Sequence, residues 1–178
     1  QVVRLSRLRE VQALLGFTRL NPPQRRDLNP ANLVSLRRQL PNWVPAVEKR
    51  GEGFFLELNE ERVALWEARA EKHPRIVTLR GAYRQSMLSF GRTPDPNFPA
   101  ARTLLLHTLS HLLIRQVSLD CGYSSASIRE RLYLGKPEAR TAGVLLSTAA
   151  SDSEGTLGGL VALGETKQLK RLLDEAMN

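Results

Sequence analysis

The sequence predicts a mixed α+β fold that is rich in helix and contains a small sheet. Three observations support this prediction. Apolar residues recur with helical periodicity along much of the chain. Over 100–119, apolar residues fall on nearly every side of a helix, which predicts a central, buried helix. The segment 144–163 begins with a β-prone run and continues with a glycine-rich turn and a helical pattern. This order predicts a strand-turn-helix unit.

The first predicted part covers 1–91 and holds a helix, a long loop, a β-hairpin and two helices. Apolar residues at three-residue spacing from Val2 to Val11, with arginines between them, indicate an amphipathic helix with a basic flank. Five prolines between positions 21 and 45 indicate a long surface loop. The β-prone runs 43–47 and 54–58 are separated by a charged segment with two glycines, which predicts a hairpin.

Two helices complete this first part. Asn59 is a suitable N-cap, and the two glutamates that follow favour the positive end of a helix dipole, so a helix is predicted from here to His73. Apolar residues from Ile76 to Phe90 mark a second helical face, and Gly91 is expected to end it.

The second predicted part covers 99–178, and the proline-rich segment 92–99 is the expected boundary. After the central helix, 124–134 fits either a short capped helix or a strand. Helices are then expected from about Thr156 and from Thr166.

The charge balance favours a polyanionic partner. The chain has 26 basic and 18 acidic residues, a net charge of +8, and arginine dominates the basic side. The planar guanidinium can donate two parallel hydrogen bonds to a phosphate, so DNA is a candidate partner. The arginines expected to contact it, three on the first helix and four in the long loop, are Arg4, Arg7, Arg9, Arg25, Arg26, Arg37 and Arg38.

A cytoplasmic location without a membrane span is expected. The single cysteine cannot form an internal disulfide, and no basic-then-apolar leader opens the sequence. The longest apolar run is interrupted by His107, His111 and Arg115 and is too short to cross a bilayer.

His107 and His111 are four residues apart, so on a helix they share a face and have the spacing of two metal ligands. Thr108 follows the first histidine, where metalloproteases of this spacing carry a catalytic glutamate. We therefore favour a structural role, in which both histidines bond to acceptors inside a buried helix. Cys121 is interpreted as a small buried hydrophobic residue.

The turn over 151–159 has two interpretations. Its glycines and the helix that follows fit an anion site, but Asp152 and Glu154 would repel a phosphate, and no phosphate-binding loop with its lysine is present. The favoured interpretation is a capping turn, because Ser151 and Glu154 have capping-box spacing. No ATP hydrolysis by this chain is expected.

Several stretches are similar to one known family: His107–Ile114, Cys121–Ser124, Ile128–Tyr133 and Gly143–Gly159, and nearer the start Arg7–Val11, Gly16–Arg19 and Trp43–Phe54. Together they resemble the helicase-associated domain family related to the MrfA-type zinc-binding domain, over nearly the whole chain. The resemblance assigns no role to the motif residues, which are His107, His111, Ser151, Asp152, Glu154, Gly158 and Gly159.

The resemblance implies a bacterial component of the DISARM anti-phage system that works with a DrmA-like DNA helicase of superfamily 2. The helicase would supply the ATP hydrolysis. Family members usually continue into a zinc-binding cysteine cluster, which would lie beyond Asn178. A structural zinc site usually needs four ligands, so no metal and no other cofactor is expected in this chain, which has one cysteine.

The expected function is a non-motor accessory subunit, without catalytic residues, that binds the helicase and helps it engage DNA independently of sequence. Two alternatives stay open. One is a metal-dependent nuclease or hydrolase that uses His107, His111 and the turn from Asp152 to Glu154. The other is a scaffold that binds only protein.

Overall fold

The computed structural model describes residues 1–18, 34, 36, 42–96, 98–136, 138–148 and 159–177. Within these ranges the predicted α+β class is confirmed by five α-helices and a four-stranded sheet. The elements are β1 (Val2–Ala13), β2 (Ala46–Glu57), α1 (Glu60–Ala70), α2 (Pro74–Ser89), α3 (Ala101–Cys121), β3 (Ile128–Lys136), β4 (Ala139–Thr148), α4 (Gly159–Leu163) and α5 (Thr166–Ala176).

The chain divides into two compact units. The larger contains Gln1–Leu8 and Gly51–Asn178, and the smaller contains Arg9–Arg50. In the smaller unit, the amide of Leu14 donates to the carbonyl of Pro45, and Phe17 forms an isolated bridge with Val34. The boundary expected over 92–99 stays a prediction.

The sheet has the strand order β1-β2-β4-β3. Its pairs are antiparallel: Phe54 lies opposite Leu146, and Leu146 lies opposite Glu130. At the edge, Gln1 and Glu57 exchange backbone hydrogen bonds of 2.8 and 2.9 Å, which fixes the start of β1 against the end of β2. These pairings decide which side chains share a face.

The core lies between one face of the sheet and the helices. Phe54 and Leu146 from the sheet, and Leu106 and Leu113 from α3, are completely buried there. Helix α3 contacts α1, α4, α5, β3 and β4, so the prediction of a central helix over 100–119 is confirmed. Gly122 ends it in the left-handed conformation at φ 70°.

A buried ion network joins the two helices that flank this core. Arg102 on α3 is 2% exposed. Its guanidinium donates to both carboxylate oxygens of Glu60, at 2.6 Å each, to Glu67 on α1 and to the carbonyl of Thr141 on β4. Arg140 forms a second ion pair with Glu67 at 3.2 Å. The buried charges are therefore paired and bonded on several sides.

The predicted N-terminal helix is wrong, because Val2–Ala13 forms strand β1. The three-residue apolar spacing fits a helix, but the backbone N–H and C=O groups of this segment bond to β2 instead of to one another. Long-range pairing commonly overrides local periodicity in a segment that contains β-branched residues.

The predicted hairpin over 43–58 is also wrong, because Ala46–Glu57 is one continuous strand. Its two glycines suggest a turn, yet they mark close packing between strands. A Cβ at Gly53 would clash with the backbone of Leu146, and one at Gly51 would lie 2.8 Å from the carbonyl oxygen of Thr148.

The other predicted elements agree with the structure where it describes them. Asn59 caps α1, α2 follows it, and α5 begins at Thr166. The ambiguous segment 124–134 contains a single 3₁₀ turn and then β3. The strand and the helix of the 144–163 unit are present as β4 and α4, while its turn lies outside the described residues. No helix in the described ranges is long and apolar enough to cross a membrane.

Candidate nucleic-acid interface and histidine cluster

The arginines predicted on a helical flank are separated because β1 is a strand. Arg4 bonds to Glu165, at the start of α5, at 2.9 Å, so its side chain points to the helix side of the sheet. Alternation along the strand then places Arg7 on the opposite side. In the smaller unit, Arg9 bonds to Glu48 at 2.6 Å.

The second face of the sheet, here called the outer face, is defined by the same alternation. Phe54 on β2, Ile128 on β3 and Leu146 on β4 are buried in the core beneath the helices. The residues that alternate with them along each strand therefore point away from the core. The described outer face of the larger unit includes Val3, Leu5, Arg7, Phe55, Glu57, Arg129, Arg131, Tyr133, Gly143, Leu145 and Ser147.

An aromatic pair occupies the centre of the outer face. The rings of Phe55 and Tyr133 pack edge to face, with centroids 5.4 Å apart and planes at 85°. Gly143 lies beneath the Phe55 ring, and a Cβ there would clash with it. Tyr133 is 40% exposed, so part of an aromatic surface is accessible to solvent.

Three guanidinium groups accompany this pair. Arg129 and Arg131 precede Tyr133 along β3, and Arg7 lies on β1 at the other edge of the sheet. Glu57 is an acidic side chain that alternation places on the same side. The described part of the outer face is therefore net positive and carries exposed aromatic surface.

The histidines form a cluster with a residue that the sequence did not single out. His107 and His111 lie one turn apart on α3, with ring centroids 4.4 Å apart. The pairing of β3 with β4 brings Glu130 against them: its Oε1 lies 2.8 Å from Nδ1 of His107 and 3.9 Å from Nε2 of His111. All three ligand atoms lie within 4.8 Å of one another.

The interpretation of these histidines as buried residues is wrong. Their side chains are 51% and 61% exposed, because they lie on the solvent side of α3. His107 does bond to an acceptor, as expected, but this acceptor is an acid. Ser110, which is completely buried, bonds to the second carboxylate oxygen of Glu130 and holds the acid in place.

No protein-family model matches the chain. In an alignment of 179 positions that covers 99% of its length, the chain is 38% identical to a protein of Bacillus paralicheniformis named DISARM protein DrmB. The chain is therefore similar to DrmB over almost its whole length. It spans 31% of the length of that DrmB relative.

The similarity to DrmB confirms the part of the motif resemblance that implied a DISARM component. Of those motif residues, His107 and His111 are brought together, and Gly159 begins α4. The other four motif residues, and the four arginines of the segment that was predicted to be a loop, lie outside the described residues: Ser151, Asp152, Glu154, Gly158, Arg25, Arg26, Arg37 and Arg38.

Cys121 is half-buried at the end of α3, where it packs against the core. Burial, and secondarily the charge of Asp120, raises the pKa of its thiol above the ordinary value. A thiol in this setting stays protonated and is a poor metal ligand or nucleophile. Its interpretation as a small apolar residue agrees with this packing.

Sequence reasoning missed Arg129, Glu130, Arg131 and Tyr133 for one reason. They fall in the segment that was left open between helix and strand, so their faces were not assigned. The strand signal is weak there, because Arg129, Glu130 and Arg131 are consecutive charged residues that interrupt any apolar alternation between Ile128 and Leu132.

Proposed function

We propose that this chain is part of a non-motor accessory subunit of the DISARM anti-phage system, which engages DNA beside a DrmA-like superfamily 2 helicase. The observation that carries the DNA contact is the outer face, which holds three arginines and an aromatic pair whose Tyr133 is 40% exposed. The DrmB relationship supports the assignment to DISARM.

The chemistry of the outer face fits single-stranded DNA. Arg129 and Arg131 are two residues apart on one side of β3, which separates their positions by about 6.7 Å. Aromatic side chains on a sheet stack with bases, and only unpaired bases are free to stack on a protein surface.

The proposal assigns binding rather than catalysis to this face. A nucleophilic or acid-base mechanism needs a reactive group and a positioned base within hydrogen-bond reach. The described outer face carries apolar, aromatic and arginine side chains, Ser147 and Glu57. Ser147 lies opposite Gly53 and Glu57 lies opposite Gly143, four positions apart along the strands, so these two are not such a set. ATP hydrolysis is assigned to the helicase partner.

Two matched variants test the DNA contact. Arg7→Ala combined with Arg131→Ala removes two outer-face charges, whereas Arg4→Ala removes one from the same strand but the opposite face. Fluorescence anisotropy with unrelated single-stranded oligonucleotides should show a loss of at least about tenfold for the double variant. This magnitude follows from about 1 kcal/mol for each exposed charge-assisted bond. Arg4→Ala should bind like the parent.

A combined replacement of Arg25, Arg26, Arg37 and Arg38 by alanine tests the loop, and it should weaken binding to unrelated sequences equally. A pull-down with the purified helicase tests the other half of the proposal. If the variants bind DNA as tightly as the parent but no longer bind the helicase, the DNA-binding proposal is wrong and the protein-scaffold alternative is favoured.

A further inference from the structure

We propose that His107, His111 and Glu130 form a binding site for a single divalent transition metal ion, with zinc as the best fit. This proposal replaces the expectation, drawn from the sequence alone, that the chain binds no metal. It is independent of the DNA-binding proposal, since the cluster lies on α3 and on the helix side of β3.

The two distances from Glu130 to the histidine nitrogens are close to those that zinc requires, and all three ligand atoms lie within 4.8 Å of one another. Zinc bonds of 2.0–2.2 Å in tetrahedral geometry place neighbouring ligand atoms about 3.4 Å apart. The carboxylate oxygen of Glu130 lies 2.8 Å from one histidine nitrogen and 3.9 Å from the other. Shifts of about 0.6 Å, within reach of rotations about side-chain bonds, bring both distances to the tetrahedral value.

The surroundings hold the three ligands in place before a metal binds. The helix fixes the histidines one turn apart. The pairing of β3 with β4, in which Glu130 lies opposite Leu146, fixes the position of Glu130. Ser110 bonds to the carboxylate oxygen that does not face the histidines, which orients the acid toward them. Such supporting bonds are typical of metal ligands, and their loss usually weakens binding 10- to 100-fold.

The chemistry of the ligands also selects the metal. Two imidazoles and one carboxylate suit zinc, cobalt, nickel or copper rather than magnesium or calcium, which prefer oxygen ligands alone. Both histidines are more than half exposed, so the remaining coordination position faces solvent. Three protein ligands with one open position are the pattern of an accessible zinc site rather than a closed structural one.

Calorimetric titration of the chelator-treated 178-residue chain with ZnCl2 tests the proposal. We expect one Zn²⁺ per chain. His111→Ala should weaken binding by about 100-fold or more, because a direct ligand matters more than a supporting bond. Glu130→Gln should weaken it similarly. His111 is the preferred target because its exposed side chain contributes little to folding.

Two control variants exclude other binding groups. His73→Asn removes the third histidine of the chain but keeps an acceptor that can cap α2, where Nδ1 of His73 accepts from the amide of Arg75. Cys121→Ser removes the thiol. Both controls should bind zinc like the parent.

Thermal unfolding provides a second readout. Zinc should raise the melting temperature of the parent, and it should leave that of His111→Ala unchanged, since a ligand stabilises only the folded state that binds it. The proposal is overturned if the parent takes up no zinc, if His111→Ala binds as tightly as the parent, or if either control variant abolishes binding.

Discussion

Replacing Arg102 by alanine tests the buried ion network that joins α1, α3 and β4. The substitution removes the partner of Glu67, which is 7% exposed, and of Glu60, whose side chain is 37% exposed. Removing one member of a buried ion pair costs roughly 3–5 kcal/mol, because a charge is left without its partner. We expect the lower end, about 3 kcal/mol, since Arg140 still contacts Glu67 and water can reach Glu60.

Urea denaturation followed by circular dichroism measures this loss. With a denaturant slope of about 2 kcal/mol per molar urea, a loss of about 3 kcal/mol lowers the midpoint by about 1.5 M. Arg115→Ala is the matched control, because Arg115 is an exposed arginine on the same helix. Its effect should stay within about 0.5 kcal/mol.

A double variant separates the loss of the interaction from the effect of the unpaired charge. Arg102→Ala with Glu67→Gln should be less destabilised than the sum of the two single variants, because neither buried charge remains without a partner. The reasoning is refuted if Arg102→Ala unfolds at the same urea concentration as Arg115→Ala.

Two further predictions concern stability. The hydrogen bond from Arg102 lowers the pKa of Glu60 in the folded protein. The stability that ionised Glu60 contributes is therefore complete above the ordinary glutamate pKa, and it is lost as pH falls through the lowered pKa of the folded state. Glu60→Gln should therefore be less stable than the parent at neutral pH, and the difference should shrink in acid; a difference independent of pH would contradict this. Gly135 and Gly91 both have positive φ, 68° and 65°, which costs alanine about 1–2 kcal/mol. Thermal melts should show a larger loss for Gly135→Ala, because its Cβ would clash with the carbonyl of Ala139 whereas none of the described neighbours crowds Gly91.

Elements governed by local rules could be predicted from the sequence. The cap at Asn59, the apolar run of α3 and the buried strand near Val144 each carry their own signal, and the structure agrees with all three. In each case the signal is local, even though the strand at Val144 pairs with the distant strand β2.

The edge of the sheet could not be predicted in this way. Strand β1 forms because β2 pairs with it, and the two strands are separated by 32 positions of sequence. With β1 taken as a helix, Arg4 and Arg7 belonged to one flank, whereas the strand turns them to opposite faces.

The histidine cluster illustrates the same limit. The spacing of His107 and His111 suggested a pair, but the third member, Glu130, lies on another element. Its approach depends on the pairing of β3 with β4, which local periodicity does not encode.

The salt dependence of DNA binding tests the central claim most directly, because its slope reports how many phosphates the protein neutralises. For single strands, the slope of log K against log salt changes by about 0.7 for each phosphate that is no longer neutralised. The account predicts that Arg7→Ala with Arg131→Ala flattens the parental slope by about 1.4, and that Arg4→Ala leaves it unchanged. An unchanged slope in the double variant, or an equal flattening in Arg4→Ala, would contradict the assignment of DNA to the outer face.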